Sequence, residues 1–358
     1  MPVSVLPTQN PAAAPTITTS STGNGAQGGA VIASLKSTTS GATIYFTLDG
    51  TTPTTSSQQY EAPILVASNI TINAIAAATG YTNSSVATQA FTPGIPSGTL
   101  VWSDEFANSG ATNSQPNPAT WTYDIGTDCC GNSELETYCA WASTTGPCNP
   151  SNPNAYVGTD GYLHIVAEQP TVGVATYTSA RLKTQGLFSF QYGRIEASMM
   201  LPESQGMWPA FWLLGSNITT NPWPACGEAD VLEHIDGNNP PINGIGPGHD
   251  WTQSSVHGTN MNGGQPYTTT GFSAAAWHTY GMIWTKGQIQ YYVDYVGNSP
   301  NVYETFTPSS QTGTWPFDQG PQFVILNLAV GGTWPGSPNA TTVFPSTMLV
   351  DYVRIYAN

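Results

Sequence analysis

The stretch Gly227-Glu-Ala-Asp-Val-Leu-Glu-His234 places three carboxylates close together in otherwise apolar, strand-forming sequence. In a β-strand successive side chains point to opposite faces, so Glu228 and Asp230 share a face while Glu233 points away. One extra residue after Asp230, a β-bulge, would shift the register and return Glu233 to the face of the other two. The spacing therefore predicts a bulged strand with three carboxylates along one wall.

A purely structural role for such a row is disfavoured, because like charges in a half-buried sheet repel and are costly to desolvate. A chemical role fits better. Retaining glycosidases need a nucleophilic carboxylate and, roughly 5 to 5.5 Å away, a second carboxyl that acts as acid and then as base. Close pairing also separates their pKa values. Because E-x-D-x-x-E strings also occur in exposed helices and loops, the assignment depends on the rest of the chain.

Composition predicts a mostly-β protein. The 358 residues leave room for two domains, or for one large β domain with an appendage. Only 8% of the residues are charged, there are 37 Gly and 29 Pro, and the apolar runs are short and rich in β-branched and aromatic residues. The formal charge of −15 repels phosphate and sulfate polymers, so no nucleic-acid partner is expected.

Three features of the sequence indicate where the protein is located: its apolar runs, its N-terminal residues and its cysteines. The sequence contains no run of about 18 apolar residues, so no membrane span is predicted. The start of the chain lacks a basic region followed by an apolar core, so no signal peptide is expected in this sequence. Four cysteines fall in a Gly- and Asn-rich segment without the C-x-x-C spacing of a zinc site: Cys129, Cys130, Cys139 and Cys148. They predict disulfides and hence a secreted or extracellular protein, with three pairings left open. Cys226 is either a buried free thiol or a partner of that segment.

The first part of the chain divides at changes in composition. Residues 1–28 contain almost no large apolar residues and are predicted to be a disordered tail or linker. Residues 29–92 alternate like short strands separated by turn signals, which predicts a small β-sandwich, and residues 93–99 read as a linker. Residues 42–53 (A-T-I-Y-F-T-L-D-G-T-T-P), Tyr60 and residues 70–76 (I-T-I-N-A-I-A) resemble the immunoglobulin-like module of chitobiase C-termini. Such modules often act as spacers beside carbohydrate enzymes, and a sugar-binding role stays open.

From Leu100 the strand patterns lengthen and become dense in Trp and Tyr. Besides the acidic strand they include V-W-S-D-E-F (101–106), G-M-W-P-A-F-W-L-L-G (206–215), W-H-T-Y-G-M-I-W (277–284), F-V-I-L-N-L-A-V-G-G (323–332) and D-Y-V-R-I-Y (351–356). These motifs, in this order, resemble glycoside hydrolase family 16, in its laminarinase-like branch, over residues 100–358. The resemblance implies an all-β, concanavalin A-like jelly-roll sandwich of two antiparallel sheets with a sugar cleft on its concave side.

The resemblance also implies the catalytic roles. Glu228 matches the family's nucleophile, Glu233 its general acid and base, and Asp230 the aspartate that hydrogen-bonds the nucleophile. The bulged spacing is that of the laminarinase, agarase and carrageenase branches. The mechanism that the resemblance implies is double displacement through a glycosyl-enzyme, with retained configuration.

Seven further residues match positions near the family's cleft: Trp208, Trp212, Trp223, Asn132, Glu134, Arg181 and His257. Trp223 is expected to stack on a sugar ring, whereas Trp212 could equally lie in the core and Arg181 could be a solvated surface residue. The remaining histidines, His164, His249 and His278, are read as structural or loop residues, and His234 is expected to face away from the cleft.

A structural calcium ion is also implied by the family, although none is needed for the chemistry. The matching positions are Glu105, the backbone carbonyl of Gly161, and Asp351. Oxygen-only ligands suit a hard cation. Asp351 could equally cap the last strand.

Together these observations predict a secreted, monomeric, retaining endo-β-1,3-glucanase acting on laminarin-type β-glucans. Sulfated carrageenans are disfavoured because sulfate groups need cationic partners, which this chain lacks. Mixed-linkage glucan or agarose as substrate, a non-catalytic glucan-binding protein and a transglycosylase remain alternatives. The Gly- and Pro-rich segment 238–248 is expected to shape one end of the cleft.

Overall fold

The computed structural model describes residues 9–127, 131–171, 173, 176–236 and 250–358. Within them the protein is all-β, as predicted, with two 3-10 turns at Gly23–Gly25 and Pro308–Ser310. Cys129, Cys130, His249 and segment 238–248 lie outside the described residues, so the predictions made for them stay predictions. No helix in the described parts of the chain is long and apolar enough to span a membrane.

The N-terminal module is a two-layer sandwich. Its strands are β1 (Thr16–Ser20), β2 (Val31–Lys36), β3 (Thr43–Thr47), β4 (Gln58–Gln59), β5 (Ile64–Val66), β6 (Ile70–Ala77) and β7 (Ala87–Phe91). One layer has the order β4-β3-β6-β7, and the other contains β1, β2 and β5. Alternate apolar side chains from both layers, such as Leu35, Phe46 and Ile72, meet in a small core.

The prediction of a disordered tail over residues 1–28 is wrong for its described part. β1 pairs with β2 along its whole length, from Thr16 opposite Lys36 to Ser20 opposite Ile32. The composition argument counted buried apolar surface, whereas β1 is held mainly by the backbone hydrogen bonds of the ladder, with Ile17 packed on the module's core. The sandwich therefore begins well before residue 29.

The described part of the second module carries nineteen strands. They are β8 (Leu100–Asp104), β9 (Thr122–Asp124), β10 (Gly126–Thr127), β11 (Glu136–Tyr138), β12 (Ala155–Val157), β13 (Leu163–Ala167), β14 (Tyr177–Ser179), β15 (Arg181–Lys183), β16 (Ser189–Phe190), β17 (Gly193–Met200), β18 (Met207–Gly215), β19 (Glu228–Glu233), β20 (Thr252–Gly258), β21 (Met261–Tyr267), β22 (His278–Thr285), β23 (Gln288–Val296), β24 (Ser299–Phe306), β25 (Gln322–Val330) and β26 (Ser346–Tyr356).

These strands build the predicted sandwich. One sheet runs β16-β25-β18-β19-β20-β21, with β15 and β9 attached to β25, and the other runs β12-β13-β26-β17-β22-β23-β24, with β8 attached to β26. Large side chains such as Trp102, Trp121 and Trp284 are fully buried between the sheets. β25 is buried at every position because it lies between neighbours in the middle of its sheet.

The two modules share a sheet. β5 of the first pairs in parallel with β16 of the second, with Ile64 opposite Ser189 and Leu65 opposite Phe190, so that, among the residues that the structure describes, the sheet joins eleven strands from both modules. Leu65 and Ile32 belong to the large core of the second module. The predicted linker, residues 93–99, thus connects two modules that pack as one body. Within the first module alone β5 would be an edge strand with unpaired backbone groups, and β16 supplies their partners.

Because both modules share a sheet and a core, we expect one cooperative heat-unfolding transition rather than two. Leu65→Ala, at a side chain only 5% exposed, should lower the free energy of unfolding by about 2–5 kcal/mol and move the whole transition. Val86→Ala, at a 40% exposed position of the same module, should change it by no more than about 0.5 kcal/mol. Calorimetry checks this: two separate peaks, of which Leu65→Ala moves only one, would contradict it.

The structure gives the bonding state of three of the five cysteines. Cys139 and Cys148 form a disulfide, as the clustered cysteines predicted. Cys226 is a buried free thiol, which is one of its two predicted states.

Candidate active site

The acidic strand contains the predicted bulge. On β18, Trp212 lies opposite Asp230 and Phe211 opposite Leu232, so Val231 has no partner there. The register with β20 also shifts between Asp230 and Glu233. Val231 packs into the core, and the three carboxylates, Glu228, Asp230 and Glu233, line one cavity of about 820 Å³. The bulge thus brings Glu233 to the face of the other two.

β18 supplies the cavity wall beside these carboxylates. Its alternation points Trp208 and Trp212 into the cavity and Phe211 into the core, as predicted. Nε1 of Trp208 donates a hydrogen bond to Oε1 of Glu233 at 3.1 Å. Nε1 of Trp212 donates to Oδ1 of Asn327 at 2.7 Å, which fixes the indole along the wall.

Glu233 is held as a proton donor. Its second oxygen accepts a hydrogen bond from the Ser255 hydroxyl at 3.0 Å. Burial, followed by the charge of Asp230, raises the pKa of Glu233 to about 8, although the bonds from Ser255 and Trp208 oppose the shift. A carboxyl with this pKa keeps its proton at neutral pH, which is the state that a general acid requires.

Glu228 and Asp230 lie beside the imidazole of His257. Nε2 of His257, its cross-strand partner, lies 3.7 Å from Oε1 of Glu228 and 3.2 Å from Oδ2 of Asp230. Burial and then the charge of Asp230 raise the pKa of Glu228, whereas His257 and Arg181 lower it. Burial also raises the pKa of Asp230 to about 7. Neighbouring carboxyls do not all ionise together, and His257 and Arg181 are the groups that favour the ionised form of Glu228, which a nucleophile needs.

All ten residues predicted for catalysis and sugar binding lie on the wall of this one cavity: Glu228, Asp230, Glu233, Trp208, Trp212, Trp223, Asn132, Glu134, Arg181 and His257. Their individual roles in binding stay predictions. The alternative of a solvated surface position for Arg181 is wrong, because the residue is 7% exposed. Its guanidinium lies 4.5 Å above the Trp212 ring, and its Nε lies 2.9 Å from Oδ2 of Asp124.

Sequence reasoning missed several lining residues. Gln253 and Ser255 alternate with His257 on β20, so the strand pattern that identified His257 could have found them. Trp334 packs edge-on against Trp208 with ring centroids 5.3 Å apart. No periodic signal marks Trp334, because it follows the end of β25 and reaches the cavity only through the fold.

The other histidines fit their predicted structural roles. His164 contacts Asp160, and His278 contacts Asp294 at 2.7 Å. His234 is fully buried, with Nδ1 2.9 Å from the carbonyl oxygen of Trp251.

The calcium ion stays a prediction, and the structure bears only on how Glu105 could take part. Both carboxylate oxygens of Glu105 accept hydrogen bonds from Arg354, at 2.9 and 2.7 Å. A carboxylate engaged in this way does not fit a side-chain ligand of Ca²⁺. A calcium site here would rest on Asp351 and on main-chain carbonyls such as that of Gly161, and the catalytic geometry does not depend on it.

A β-sandwich whose bulged strand lines an open cavity with three carboxylates, flanked by tryptophans, defines a glycoside hydrolase. The chain belongs to glycosyl hydrolases family 16, whose sequence profile matches residues 151–354. Residues 22–88 match the chitobiase/beta-hexosaminidase C-terminal domain, which agrees with a module that begins before residue 29.

Relatives and solved structures agree with this assignment. The chain is similar to a beta-glucanase of Rhodothermus marinus, with 38% identity over 268 residues that cover 72% of this chain and 84% of that protein. It resembles the structure of the laminarinase catalytic domain of Thermotoga maritima with a TM-score of 0.60 and 32% identity, over 74% of this chain and 99% of the other. The endo-beta-1,3-glucanase of Pyrococcus furiosus gives 0.59 and 35%, over 73% and 94%.

Proposed function

We propose that the protein is a secreted, monomeric, retaining endo-β-1,3-glucanase that hydrolyses laminarin-type β-glucans. The observation that carries the proposal is the row formed by Glu228, Asp230 and Glu233 on one wall of the cleft, with Trp208 and Ser255 bonded to Glu233 and His257 beside Glu228. The glucanase and laminarinase relatives support the substrate class. The Cys139–Cys148 disulfide supports secretion, because disulfides persist in oxidising compartments.

In the first step the Glu228 carboxylate attacks the anomeric carbon while Glu233 gives its proton to the departing glycosidic oxygen. The C–O bond to the leaving sugar breaks as the bond to Glu228 forms. Asp230 lies between the two glutamates, where its own negative charge would oppose the ionised nucleophile. Its raised pKa lets it hold a proton and limits that repulsion.

In the second step Glu233, now ionised, takes a proton from water, and the hydroxide oxygen attacks the anomeric carbon from the face that the leaving group vacated. Glu228 departs as a carboxylate, and the product keeps the β configuration. Trp208 and Ser255 hold the two oxygens of Glu233, and because both are donors they stabilise its ionised form, which is the form that acts in the second step.

The pH dependence should follow Glu233. Its acid form is the active one in the first step, so kcat/KM should fall as pH rises through about 8. The Ser255 hydrogen bond lowers the pKa of Glu233, so Ser255→Ala should move this alkaline limb to higher pH. Ser254→Ala is the matched control, because the Ser254 hydroxyl donates to the Val231 carbonyl instead. A pH profile of kcat/KM checks both variants, and an unmoved limb in Ser255→Ala would contradict the assignment.

Trp223 is expected to bind a sugar ring. It is 57% exposed on the cleft wall, so a sugar stacked on it would bury much of the indole. Trp223→Ala should raise KM for laminarin about tenfold and leave kcat nearly unchanged. Trp277→Ala is the control, because Trp277 is also exposed, at 38%, but does not line the cleft. Equal KM values for the two variants would remove Trp223 from the binding site.

The proposed function is tested by release of reducing ends from laminarin, lichenan, agarose and κ-carrageenan, with product sizing and NMR of the first anomer formed. We expect internal cleavage of laminarin and a β-configured first product. Cleavage of another polymer would keep the mechanism and overturn the substrate. Binding without release from any of the four would instead favour a glucan-binding protein.

A further inference from the structure

A second carboxyl pair lies at the edge of the cleft, away from the catalytic strand. Glu136 on β11 is 2% exposed, and Glu134, two residues earlier in the same extended segment, lines the cleft. Side chains two residues apart share a face, and the Tyr138 hydroxyl, two residues further on, reaches back past Glu136 to Glu134. Two neighbouring carboxyls of which one is buried do not both ionise readily, so one of the pair is expected to keep a proton.

The surroundings identify Glu136 as the donor. Its Oε2 accepts a hydrogen bond from the backbone N–H of Val330 at 2.7 Å, which leaves the other oxygen for a proton directed at Glu134. Burial and then the charge of Glu134 raise the pKa of Glu136 to about 8. Glu134 has more donors of its own: the Tyr138 hydroxyl donates to its Oε2 at 3.2 Å and Nδ2 of Asn132 to its Oε1 at 3.3 Å.

The same network continues under the cleft wall. Nδ2 of Asn327 donates to the Tyr138 hydroxyl oxygen at 3.3 Å, and Oδ1 of Asn327 accepts from Trp212. The titratable or charged groups around Glu136 are Glu134 and Tyr138 on its own segment, Tyr177 opposite it on β14, and Arg181 on β15, whose charge acts on Tyr138. Among these groups Glu134 makes the largest contribution to the raised pKa of Glu136.

We propose that Glu136 is a positioning residue that keeps a proton, donates it in a hydrogen bond to Glu134, and thereby holds Glu134 and Asn132 in the geometry that binds sugar hydroxyls. Loss of this proton to solvent would leave two adjacent carboxylates, one of them buried, and Glu134 would turn away. Substrate binding then weakens at alkaline pH independently of the catalytic acid. This inference rests on the proposed function for the identity of the sugar, but the proton on Glu136 does not depend on it.

The deciding variant is Glu136→Gln. Its amide nitrogen donates to Glu134 and its amide oxygen accepts from Val330 at every pH, so it imitates the protonated acid. Glu136→Leu has a similar size but neither group, and should weaken binding at every pH. Each is made in a Glu228→Gln background, so that calorimetry measures the Kd of a laminari-oligosaccharide without turnover. Because Glu233 titrates identically in all three proteins, its contribution cancels in their ratios.

At about pH 6 the background protein and the Glu136→Gln variant should have equal Kd values, and at about pH 9.5 the background protein should bind about tenfold more weakly than the variant. Equal Kd values at both pH values, or a Glu136→Leu protein that binds as the background does, would overturn the positioning role.

An infrared difference spectrum between the wild type and Glu136→Gln tests separately whether Glu136 carries a proton. A carboxylic-acid band that is present at neutral pH and lost above about pH 9 is expected, and a carboxylate band throughout would overturn the proposal. If laminari-oligosaccharide does not bind at all, the substrate assignment fails while this spectrum still tests Glu136. The calorimetry is then repeated with oligosaccharides of the polymer that is cut.

Discussion

Replacement of Glu228 by alanine is expected to lower kcat on laminarin by about five orders of magnitude, because this variant lacks the carboxylate that forms the glycosyl-enzyme. The methyl side chain also leaves space where the carboxylate stood. A small anion such as azide, supplied with an aryl β-laminaribioside, should enter that space, displace the aryl group and give a glycosyl azide of inverted, α configuration.

The control for Glu228→Ala is a second substitution at the same position. Glu228→Gln should be equally inactive but respond little to azide, because its amide fills the space. Circular dichroism establishes that both variants fold. A glycosyl azide of β configuration, or a loss of activity of only a few fold, would contradict the assignment of Glu228 as nucleophile.

Replacement of Glu233 by alanine is expected to lower kcat on laminarin by about 10²–10⁴-fold, since the leaving sugar then departs without a proton. An aryl glycoside with an acidic phenol needs no such proton, so its first step should remain fast and the glycosyl-enzyme on Glu228 should accumulate. Azide should then accelerate release and give a product of retained, β configuration.

The opposite azide products of the two variants separate the roles of Glu228 and Glu233. A mass increase of one glycosyl unit on the Glu233→Ala protein measures the trapped intermediate. Glu203→Gln, which removes an exposed carboxylate outside the cleft, serves as the control and should behave as wild type. Equal losses on laminarin and on the aryl glycoside would show that Glu233 does not act as the acid.

Much of the site was predictable because local sequence rules govern it. The spacing of Glu228, Asp230 and Glu233 required a bulge, and alternation on β18 separated Trp208 and Trp212 from Phe211. These rules depend on the two-residue period of a strand, which holds wherever one face of the strand is buried.

The errors arose where long-range pairing decides the outcome. Residues 16–20 have a composition typical of a tail, but they form a strand because β2 offers its edge. Nor does the sequence indicate that Arg354, distant in the chain, engages both carboxylate oxygens of Glu105. Composition and short motifs do not contain such partners.

The strand periodicity, the bulge and the three carboxylates on one face follow from the amino-acid order, because each depends on residues within one or two strands. The pKa values of those carboxyls follow from the fold, since they depend on burial and on Ser255, His257 and Arg181, which other strands bring to the site. The fold also decided that the N-terminal module extends the catalytic sheet through β5 and β16. An unpaired strand edge can hydrogen-bond with many other strands. Which distant strands pair therefore depends on the complete fold and not on the local sequence.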